Sequence, residues 1–426
     1  MEKYKMKNGL KLMLWFLQTL LLINLFINGV LYAEDWPQFR GPERNGVSKE
    51  TGLLKTWPKD GPALIWSYEG LGEGYSSPSI VNNNIFVTGV LDGQEILFAF
   101  DLQGNLKWKM QYGPAWTGTF PSARTTPTVD GENIYVCSGM GKVVCFNVAS
   151  GKIKWSLQAV EEFNGEYPKW GMAESPLVID DKVICTPSGK DASLVALHKE
   201  TGKIIWRSEG LSELASYCSP ILVQKGNKKI IATMLENSFV GLDANTGKIM
   251  WQDKFSSYQN DPKDINPVSP IQYDNYIFTT SGYNDGSALY QLLNDGSKIQ
   301  KAWVDITLDT HIGGIVLVNG YIYASNWENN RNGNWVCLDW KTGQVMYEKK
   351  WITKGSIISA EGMLYCYEEK EGNLALVVAT PKEFKIVSSF KVPMGSGQHW
   401  AHPAISDGRL HIRHGDALMV YNIKVK

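Results

Sequence analysis

Cys145-Phe-Asn147-Val-Ala-Ser-Gly151-Lys152-Ile-Lys-Trp155 is one copy of a phrase that recurs along the chain. Close copies end at Trp206 and Trp251, a looser copy ends at Tyr347, and a copy one residue shorter ends at Trp108. A phrase that returns at regular spacing indicates that the chain is an array of one small structural unit.

The aromatic residue that ends each copy sets the length of the unit. The series is Trp108, Trp155, Trp206, Trp251, Trp303, Tyr347 and Phe390, with intervals of 47, 51, 45, 52, 44 and 43 residues. Each interval contains several short runs rich in Val, Ile, Tyr and Phe, separated by turn residues such as Asp130-Gly131 and Ser150-Gly151. Four antiparallel strands in roughly 45 residues, repeated, predict the blades of a β-propeller.

The repeated phrase predicts how neighbouring blades are joined. Strand alternation places one small residue at an inward position of the third strand, which leaves room for the Trp of the fourth strand to fill the gap between blades. The fifth, seventh and eighth units depart from this pattern, the fifth at Gln291-Leu-Leu-Asn-Asp-Gly, and we expect docking to differ there. The small residues are Ala99, Cys145, Ala196, Gly241 and Cys337.

A second marker counts the blades. A Ser/Thr-Pro or His-Pro pair stands at the start of the first strand in six units, and Gly313-Gly314 and Ser356-Ile357 occupy the two remaining places, which makes eight. The eighth unit ends at Lys426 without a fourth strand, whereas an orphan strand, Ala63–Trp66, precedes the first unit. We therefore predict an all-β fold: an eight-bladed β-propeller of four-stranded antiparallel blades, spanning residues 34–426 as a single domain and closed by the N-terminal strand.

At this point the chain resembles a known family. Residues 241–251, which have Gly in place of the first Ala, resemble the Ala-x-Asp-x-x-Thr-Gly-Lys-x-x-Trp tryptophan-docking repeat of pyrroloquinoline-quinone (PQQ)-type propellers. That superfamily includes quinoprotein alcohol dehydrogenases and the propeller lipoprotein of the outer-membrane β-barrel assembly machinery. The resemblance covers about residues 60–426, and Asp35-Trp-Pro-Gln-Phe-Arg40-Gly-Pro is also similar to the start of secreted PQQ-repeat proteins.

Residues 1–33 are predicted to be an export signal. Four lysines precede an apolar stretch, and Ala33 suits a cleavage site. The protein is therefore expected in the periplasm or outside the cell. Because the stretch at residues 12–30 is long for a signal, an uncleaved inner-membrane anchor is the alternative. No Cys follows the stretch, so a lipoprotein anchor is not expected.

Charge and cysteines exclude some classes of function. Residues 34–426 carry four more acidic than basic side chains and no basic tract, so nucleic acid is not an expected partner. Five of the six cysteines occupy strand positions, and the six form neither CxxC pairs nor a vicinal pair, which predicts small buried apolar side chains. We expect a monomer that contacts a membrane only through an uncleaved N-terminal segment.

Polar and aromatic residues outside the repeat are predicted to converge on one end of the central channel. The loops that enter each first strand and the hairpins between second and third strands lie on this face, where rigid scaffolds present functional groups. The predicted ligand-binding residues of this mouth are Arg124, Trp170, Glu174, Tyr217, Asn266, His311, Trp327, Arg331, His399, Trp400 and His402.

Structural alternatives stand beside these assignments. Arg124 and Glu174 are alternatively an ion pair in the channel wall. His399 and His402, three residues apart in an extended segment, are a possible metal pair or ordinary polar lining. Packing between blades is the alternative for Trp170, Trp327 and Trp400.

Two functions follow. The first is an exported binding or scaffold propeller of the cell envelope, whose mouth takes a cell-envelope protein, a peptide or a glycan. The alternative, implied by the resemblance, is an alcohol or polyol dehydrogenase dependent on PQQ and Ca²⁺. Glu174 and Asn266 would then be ion ligands, and Asp191 or Asp285 the catalytic base. The vicinal cysteine pair carried by many quinoprotein dehydrogenases is absent from this sequence.

Overall fold

The computed structural model describes residues 34–255 and 265–425, so the predicted export segment lies outside the described residues. Eight sheets follow one another along the chain, and each has four antiparallel strands in sequence order apart from the closing strand. This arrangement confirms the predicted eight-bladed β-propeller. A short parallel strand, Val47–Ser48, adds to the seventh sheet.

The strands are short, and each blade is numbered here in chain order. Blades 1 to 4 comprise Ser79–Val81, Asn84–Leu91, Gln94–Asp101, Leu106–Pro114; Thr128–Asp130, Asn133–Cys137, Lys142–Asn147, Ile153–Gln158; Leu177–Ile179, Lys182–Cys185, Val195–His198, Ile204–Arg207; and Ile221–Lys225, Lys228–Met234, Ser238–Asp243, Ile249–Lys254. Blades 5 to 8 comprise Ile271–Tyr273, Tyr276–Ser281, Gly286–Leu293, Lys298–Asp305; Val316–Val318, Tyr321–Ser325, Trp335–Asp339, Val345–Lys349; Gly355–Ala360, Met363–Glu368, Asn373–Val378, Lys385–Lys391; and Ala404–Ser406, Arg409–His414, Ala417–Asn422, Ala63–Glu69. A four-residue helix, Ala159–Glu162, follows blade 2.

The orphan strand closes the ring as predicted. Ala63–Glu69 pairs antiparallel with Ala417–Asn422, with Trp66 opposite Val420 and Glu69 opposite Ala417. Because this strand supplies the missing outer position of blade 8, the first and last parts of the chain are joined in one sheet. Closure of this kind removes the open edge that an incomplete blade would expose.

The recurring Trp joins consecutive blades. The small residue of the third strand lies directly opposite the Trp, as in the pairs of Ala196 with Trp206 and Gly241 with Trp251. Each indole N–H donates to a backbone carbonyl in the turn between the third and fourth strands of the next blade, at N···O distances between 2.8 and 3.2 Å. The six donors are Trp66, Trp108, Trp155, Trp206, Trp251 and Trp303.

Tyr347 and Phe390, the two members of the series that are not Trp, also lie at contacts between neighbouring blades. Phe390 packs on Gly61, whose place just before the closing strand matches the turn glycine of other blades. The ring of Tyr347 lies 6.4 Å from that of Phe384, in the corresponding turn of blade 7. The prediction that the series continues through these residues is therefore confirmed.

The Ser/Thr-Pro marker has a structural role that the sequence did not reveal. Its hydroxyl accepts the backbone N–H of the equivalent residue in the preceding blade, as Thr126 does from Ser77 at 3.0 Å and Ser175 does from Thr126 at 2.9 Å. Ser219 repeats the contact with Ser175. These bonds link the inner strands side by side around the central channel.

The N-terminal segment 35–48, here called the plug, lies in the central channel. Trp36 pairs with Ile80 of blade 1, the carbonyl of Pro37 accepts from Val129 of blade 2, and Val47–Ser48 pairs with blade 7. Its two arginines, described below, donate to five backbone carbonyls in or just before the first strands of blades 3, 4, 6 and 7. A segment bound to the innermost strands on opposite sides of the ring fills its centre.

Arg40 and Arg44 fasten the plug, and both side chains are buried. Arg40 donates to the carbonyl of Ile315, just before blade 6, and to the carbonyl of Ile357, in the first strand of blade 7. Arg44 donates to the carbonyls of Ser175, Pro176 and Pro220, beside blades 3 and 4, at 3.0 and 2.9 Å for the first and last. Burial lowers the pKa of both guanidinium groups to about 9, so both remain charged at neutral pH.

The topology defines two faces. The turns between first and second strands and between third and fourth strands, including the Trp-docking turns, lie on one face, here called the docking face. The connections between blades and the hairpins between second and third strands lie on the other, here called the mouth face. The plug enters from the docking face, because Glu34 and Glu50 bond to Ser406, Asp407 and Gly408 in a turn of blade 8.

Candidate functional site

A cavity of about 490 Å³ opens on the mouth face. Phe39 at the tip of the plug lines it, so the plug contributes to its floor. The remaining lining comes from the loops between blades and from hairpins. Seven aromatic side chains lie in the lining: Phe39, Tyr75, Phe120, Trp170, Tyr217, Tyr283 and Trp400.

The first aromatic group gathers where blades 8, 1 and 2 meet. The ring centroid of Trp400 lies 4.7 Å from that of Tyr75 and 5.2 Å from that of Phe120. Phe120 is 46% exposed, although large apolar side chains are usually buried. The three rings therefore form a partly open apolar platform.

Two further groups occupy other sides of the cavity. The ring centroids of Trp170 and Tyr217 lie 5.6 Å apart. Tyr283 lies 4.9 Å from His311 and 4.8 Å from Trp327. Half-buried aromatic rings arranged around a concave surface bind apolar side chains, planar groups or sugar faces.

Three of these aromatic residues have an unfavourable backbone conformation. The φ angles of Phe120, Tyr217 and Tyr283 are 55°, 71° and 69°. A bulky residue pays about 1–2 kcal/mol for the left-handed region, and such conformations concentrate at functional sites. In the turns of the blades, by contrast, positive φ angles belong mostly to Asn, Asp and Gly, which tolerate them better than aromatic residues do.

Arg124 lines the cavity, but its guanidinium is occupied by the protein itself. It donates to the carbonyls of Thr119, Phe120 and Trp170, the first at 3.1 Å. These bonds connect the long loop after blade 1 to the loop after blade 2. Arg124 therefore holds two of the aromatic groups in position, and within the described residues it forms no ion pair with Glu174.

Glu174 and Asn266, the predicted ion ligands, do not line the cavity. Both are buried. An oxygen of Glu174 accepts the backbone N–H of Thr186 at 2.6 Å, and burial raises the pKa of this carboxyl to about 7. The amide of Asn266 donates to the carbonyls of Leu235 and Glu236 at 2.8 and 2.9 Å. The predicted exposure of these two residues to a ligand in the cavity is not seen.

His402 lines the cavity and connects it to the plug. Its Nδ1 lies 2.9 Å from Arg40 Nη1 and its Nε2 lies 2.8 Å from the carbonyl of Ile312, an arrangement that fits a proton on Nε2. Burial, together with the charge of Arg40, lowers the pKa of the His402 ring to about 3. Because both nitrogens have protein partners, His402 does not offer a lone pair to a metal ion.

His399 lies apart from the cavity. Its ring stacks on His414 at 3.6 Å, and its Nδ1 lies 2.5 Å from the hydroxyl of Tyr367. The suggested pairing of His399 with His402 around one metal ion does not fit these separate surroundings. Among the described residues, no three His, Cys, Asp or Glu side chains are grouped so that they could hold a metal ion.

His311, Trp327 and Arg331 occupy the side of the cavity near blade 6. His311 and Arg331 line it, whereas Trp327 contacts it only through its packing against Tyr283. Burial lowers the pKa of His311 to about 3, so its ring is neutral at physiological pH. The predicted convergence on one mouth thus includes Arg124, Trp170, Tyr217, His311, Arg331, Trp400 and His402, but not Glu174, Asn266, Trp327 or His399.

The proposed catalytic bases also lie outside the lining. Asp191 is exposed and accepts from the side chain of Asn164 at 2.6 Å. Asp285 is buried in its hairpin. PQQ chemistry requires a Ca²⁺ held by oxygen ligands beside the quinone and a base within reach of the alcohol. Since the four candidate residues do not meet in the cavity, the residues present do not fit this cofactor.

Several cavity residues were not predicted. Phe39 belongs to no repeat, Phe120 lies in the unusually long loop after blade 1, and Tyr283 precedes the hairpin Asn284-Asp285. Glu369 follows the second strand of blade 7. The unusual length of the loop that contains Phe120 was the one feature of the sequence that could have indicated a cavity residue. The other residues lie outside the repeat, so no equivalent residue in another blade indicates their position.

Trp116 contributes to packing and not to the cavity. It lies in the long loop after blade 1, packs on Gly139 and Gly171, and does not line the cavity.

The six cysteines are free and buried, as expected for small apolar side chains. In the described part of the chain, no helix has the length and apolar character required to cross a membrane.

Comparisons with known proteins agree on one fold family. The family described as outer membrane protein assembly factor BamB matches residues 93–353. The factor BamB of Moranella endobia (strain PCIT) is 23% identical over 357 residues, which cover 78% of this chain and 74% of the relative.

Solved structures show the same architecture. BamB from Moraxella catarrhalis has a TM-score of 0.61 at 13% identity, covering 85% of this chain and 99% of the other. The quinohemoprotein alcohol dehydrogenase of Comamonas testosteroni has a TM-score of 0.68 at 15% identity, covering 94% and 82%. Identities this low establish the shared fold and leave the choice of function to the site.

Proposed function

Because the chain belongs to the PQQ-type propeller family of outer membrane protein assembly factor BamB, we propose that it is an exported, non-catalytic binding propeller of the cell envelope. Its cavity on the mouth face captures an extended segment of an envelope protein. The protein thereby acts as a scaffold that holds this partner during assembly or delivery. The comparison with BamB supports an envelope protein as the class of partner.

The observation that carries this proposal is the set of seven aromatic side chains around one cavity, six of them half-buried and one, Phe120, exposed. Aromatic residues provide a large contact area at low entropic cost and dominate the energetics of protein interfaces. Ile265, Pro267 and Ile312 add apolar surface between them. Such a lining suits the apolar side chains of an extended polypeptide.

Backbone strain supports a ligand at the same place. Phe120, Tyr217 and Tyr283 each keep a positive φ where a glycine would be favourable. A fold gains nothing from three strained aromatic residues in its loops, whereas a binding surface gains rings in fixed positions. The bonds from Arg124 to Phe120 and Trp170 hold two of these loops together.

The position of the N-terminus suits either form of export. Glu34 lies on the docking face, where its carbonyl accepts from Ser406 Oγ at 2.8 Å. The cavity opens on the opposite face. Whether residues 1–33 are removed or remain as an anchor, the mouth is therefore directed away from the point of attachment and stays accessible to a partner.

Photo-crosslinking tests the proposal directly. A benzophenone amino acid replaces Phe120 on the mouth face, and in a second variant it replaces Tyr273, which is 59% exposed at the docking-face end of the first strand of blade 5. After irradiation of intact cells, mass spectrometry identifies the adducts. We expect adducts from position 120 with exported proteins, mapped to extended segments.

The control position decides the outcome. Equal yields and the same partners from positions 120 and 273 would show that contact is unspecific. Adducts from position 273 alone would place the partner on the docking face and contradict the proposal. Substitution of Trp400 by Ala in the position-120 variant should lower the adduct yield, because the neighbouring platform is then lost.

A further inference from the structure

Glu369 is the one acidic residue among the described residues that line the cavity. It lines the cavity, is only 7% exposed, and lies on the loop that follows the second strand of blade 7. Buried carboxylates are rare unless their oxygens are paired. The hydrogen-bond partners of its two oxygens therefore show whether a ligand could supply a missing donor.

The two oxygens of Glu369 have different surroundings. Oε1 accepts from Nζ of Lys354, which is itself buried and also donates to the carbonyl of Asn330 at 3.1 Å. Oε2 is buried and has no hydrogen-bond partner. A buried carboxylate oxygen without a donor costs free energy, which a ligand that donates to it would recover.

Aromatic side chains stand beside this oxygen acceptor. Tyr283 lies close enough to Glu369 for the carboxylate charge to raise the pKa of its hydroxyl, after the larger effect of burial. Its ring packs between His311 and Trp327 at 4.9 and 4.8 Å. Aromatic faces next to a carboxylate attract an alkylammonium or guanidinium group through their quadrupoles.

The neighbouring positive charges do not occupy this acceptor. Lys354 bonds to the other oxygen and to Asn330, and the pair it forms with Glu369 has no net charge. Arg331 is exposed at the rim, where water and salt screen its charge. His311 is neutral at physiological pH, because burial holds its pKa at about 3.

We infer that the corner formed by Glu369 and Tyr283 is a subsite for a basic side chain, lysine or arginine, of the captured polypeptide. The cation donates to Glu369 Oε2 while its alkyl stem lies against the ring of Tyr283, which Trp327 packs against and supports. This inference rests on the proposed function and adds to it a chemical preference. The cavity then selects segments in which apolar residues flank a basic one.

Calorimetric titration of the full propeller with three tripeptides tests the subsite. The probes are acetyl-Phe-Xaa-Phe-amide with lysine, norleucine or glutamate at the central position. Since a hydrogen bond to a charged group contributes about 1.5–3 kcal/mol, or about tenfold or more in affinity, we expect the lysine probe to bind at least about tenfold more tightly than the other two. This comparison uses the unmodified protein and so does not depend on the folding of any variant.

Two matched variants sharpen the result. Glu369→Gln should abolish the preference for the lysine probe over the norleucine probe. Glu371→Gln, two residues along the same loop and exposed outside the cavity, should preserve it. The two variants remove the same charge, so a difference between them isolates the contact in the cavity from the general electrostatic effect.

The outcomes separate the two proposals. If the lysine and norleucine probes bind equally well, and both lose affinity in Trp400→Ala, the cavity binds peptides but the basic subsite is wrong. Tighter binding of the glutamate probe would also overturn the subsite, in favour of recognition by Arg331. If none of the probes binds the unmodified protein, the proposed capture of polypeptides itself is contradicted.

Discussion

The docking face and the mouth face use aromatic residues in opposite ways. On the docking face six tryptophans repeat the same contact, each donating its indole N–H to a carbonyl of the next blade. On the mouth face the aromatic residues come from different loops, make different contacts, and three of them have positive φ angles. One face is regular, and the other is irregular around a cavity.

This difference separates residues that make the fold from residues that make the site. A contact repeated in every blade serves a requirement that every blade shares, which is attachment to its neighbour. Strained aromatic residues such as Phe120 and Tyr283, whose conformation is not repeated in every blade, serve no such requirement. The phrase that gives the PQQ-type family its motif therefore lies at the joints between blades, away from the cavity.

The largest expected effect comes from breaking a joint. Trp206 is buried between blades 3 and 4 and donates to the carbonyl of Ala244 at 3.1 Å. Trp206→Ala should lower the free energy of unfolding by about 3–5 kcal/mol, because it leaves a cavity and an unbonded carbonyl. Denaturant titration measures the loss. Trp206→Phe, which keeps most of the ring, should lose clearly less, and equal losses would contradict a docking role.

The plug should be nearly as sensitive as a joint. Arg40 is the donor that connects the plug to blades 6 and 7. Arg40→Met keeps much of the side-chain volume but leaves buried carbonyls without a donor, so we expect a loss of about 3 kcal/mol or more. Thermal unfolding monitored by circular dichroism checks this. An unchanged melting temperature would mean that the plug does not fasten the ring.

A smaller effect separates strain from contact at the mouth. Phe120 has a φ of 55°, which glycine adopts at little cost and alanine does not. Phe120→Gly should therefore be more stable than Phe120→Ala by about 1 kcal/mol. Both variants should lose affinity for the partner, since both lack the ring. If the alanine variant were the more stable of the two, the backbone strain assigned to this loop would be refuted.

The last expected effect is a dependence of the stability on pH. Burial raises the pKa of Glu174 to about 7 in the folded state, above its value in the unfolded chain. The folded protein therefore binds the proton more tightly, and the carboxyl destabilises the fold progressively as the pH rises from about 5 to 8. Near neutral pH the carboxyl can take up a proton instead of remaining charged, which limits the cost.

Comparison with Glu174→Gln isolates this group from the buried histidines. The pKa of His402 and His411 is lowered to about 3, so these rings destabilise the fold as the pH falls below about 6 and oppose the effect of Glu174. The difference in melting temperature between Glu174→Gln and the unmodified protein should favour the variant more at pH 8 than at pH 5. A difference independent of pH would show that Glu174 titrates normally.

The sequence predicts most of the fold because the fold is repetitive. The spacing of Trp155, Trp206 and Trp251 is sufficient to count blades, and Trp66 reveals the closing strand by continuing that spacing. The plug was not predicted. Its residues Arg40 and Arg44 bind to backbone carbonyls of distant blades, and a backbone carbonyl has no signature in a sequence.

The site is only partly predictable for a related reason. The position of a residue within the repeat shows whether it lies near the mouth, and this is correct for Arg124, Trp170 and Trp400. It does not determine whether the side chain points into the cavity or into a blade, as Glu174 does when it accepts from Thr186. That direction depends on the local loop conformation, which differs from blade to blade.

The most direct test of the division between the two faces compares Trp400→Ala with Trp206→Ala in the same experiment. Capture of the cross-linked partner and the free energy of unfolding are measured for both variants. We predict that Trp400→Ala reduces capture at least about tenfold while its stability changes far less than that of Trp206→Ala. A large loss of stability in Trp400→Ala with capture unchanged would show that the mouth aromatics also serve the fold and would contradict the account.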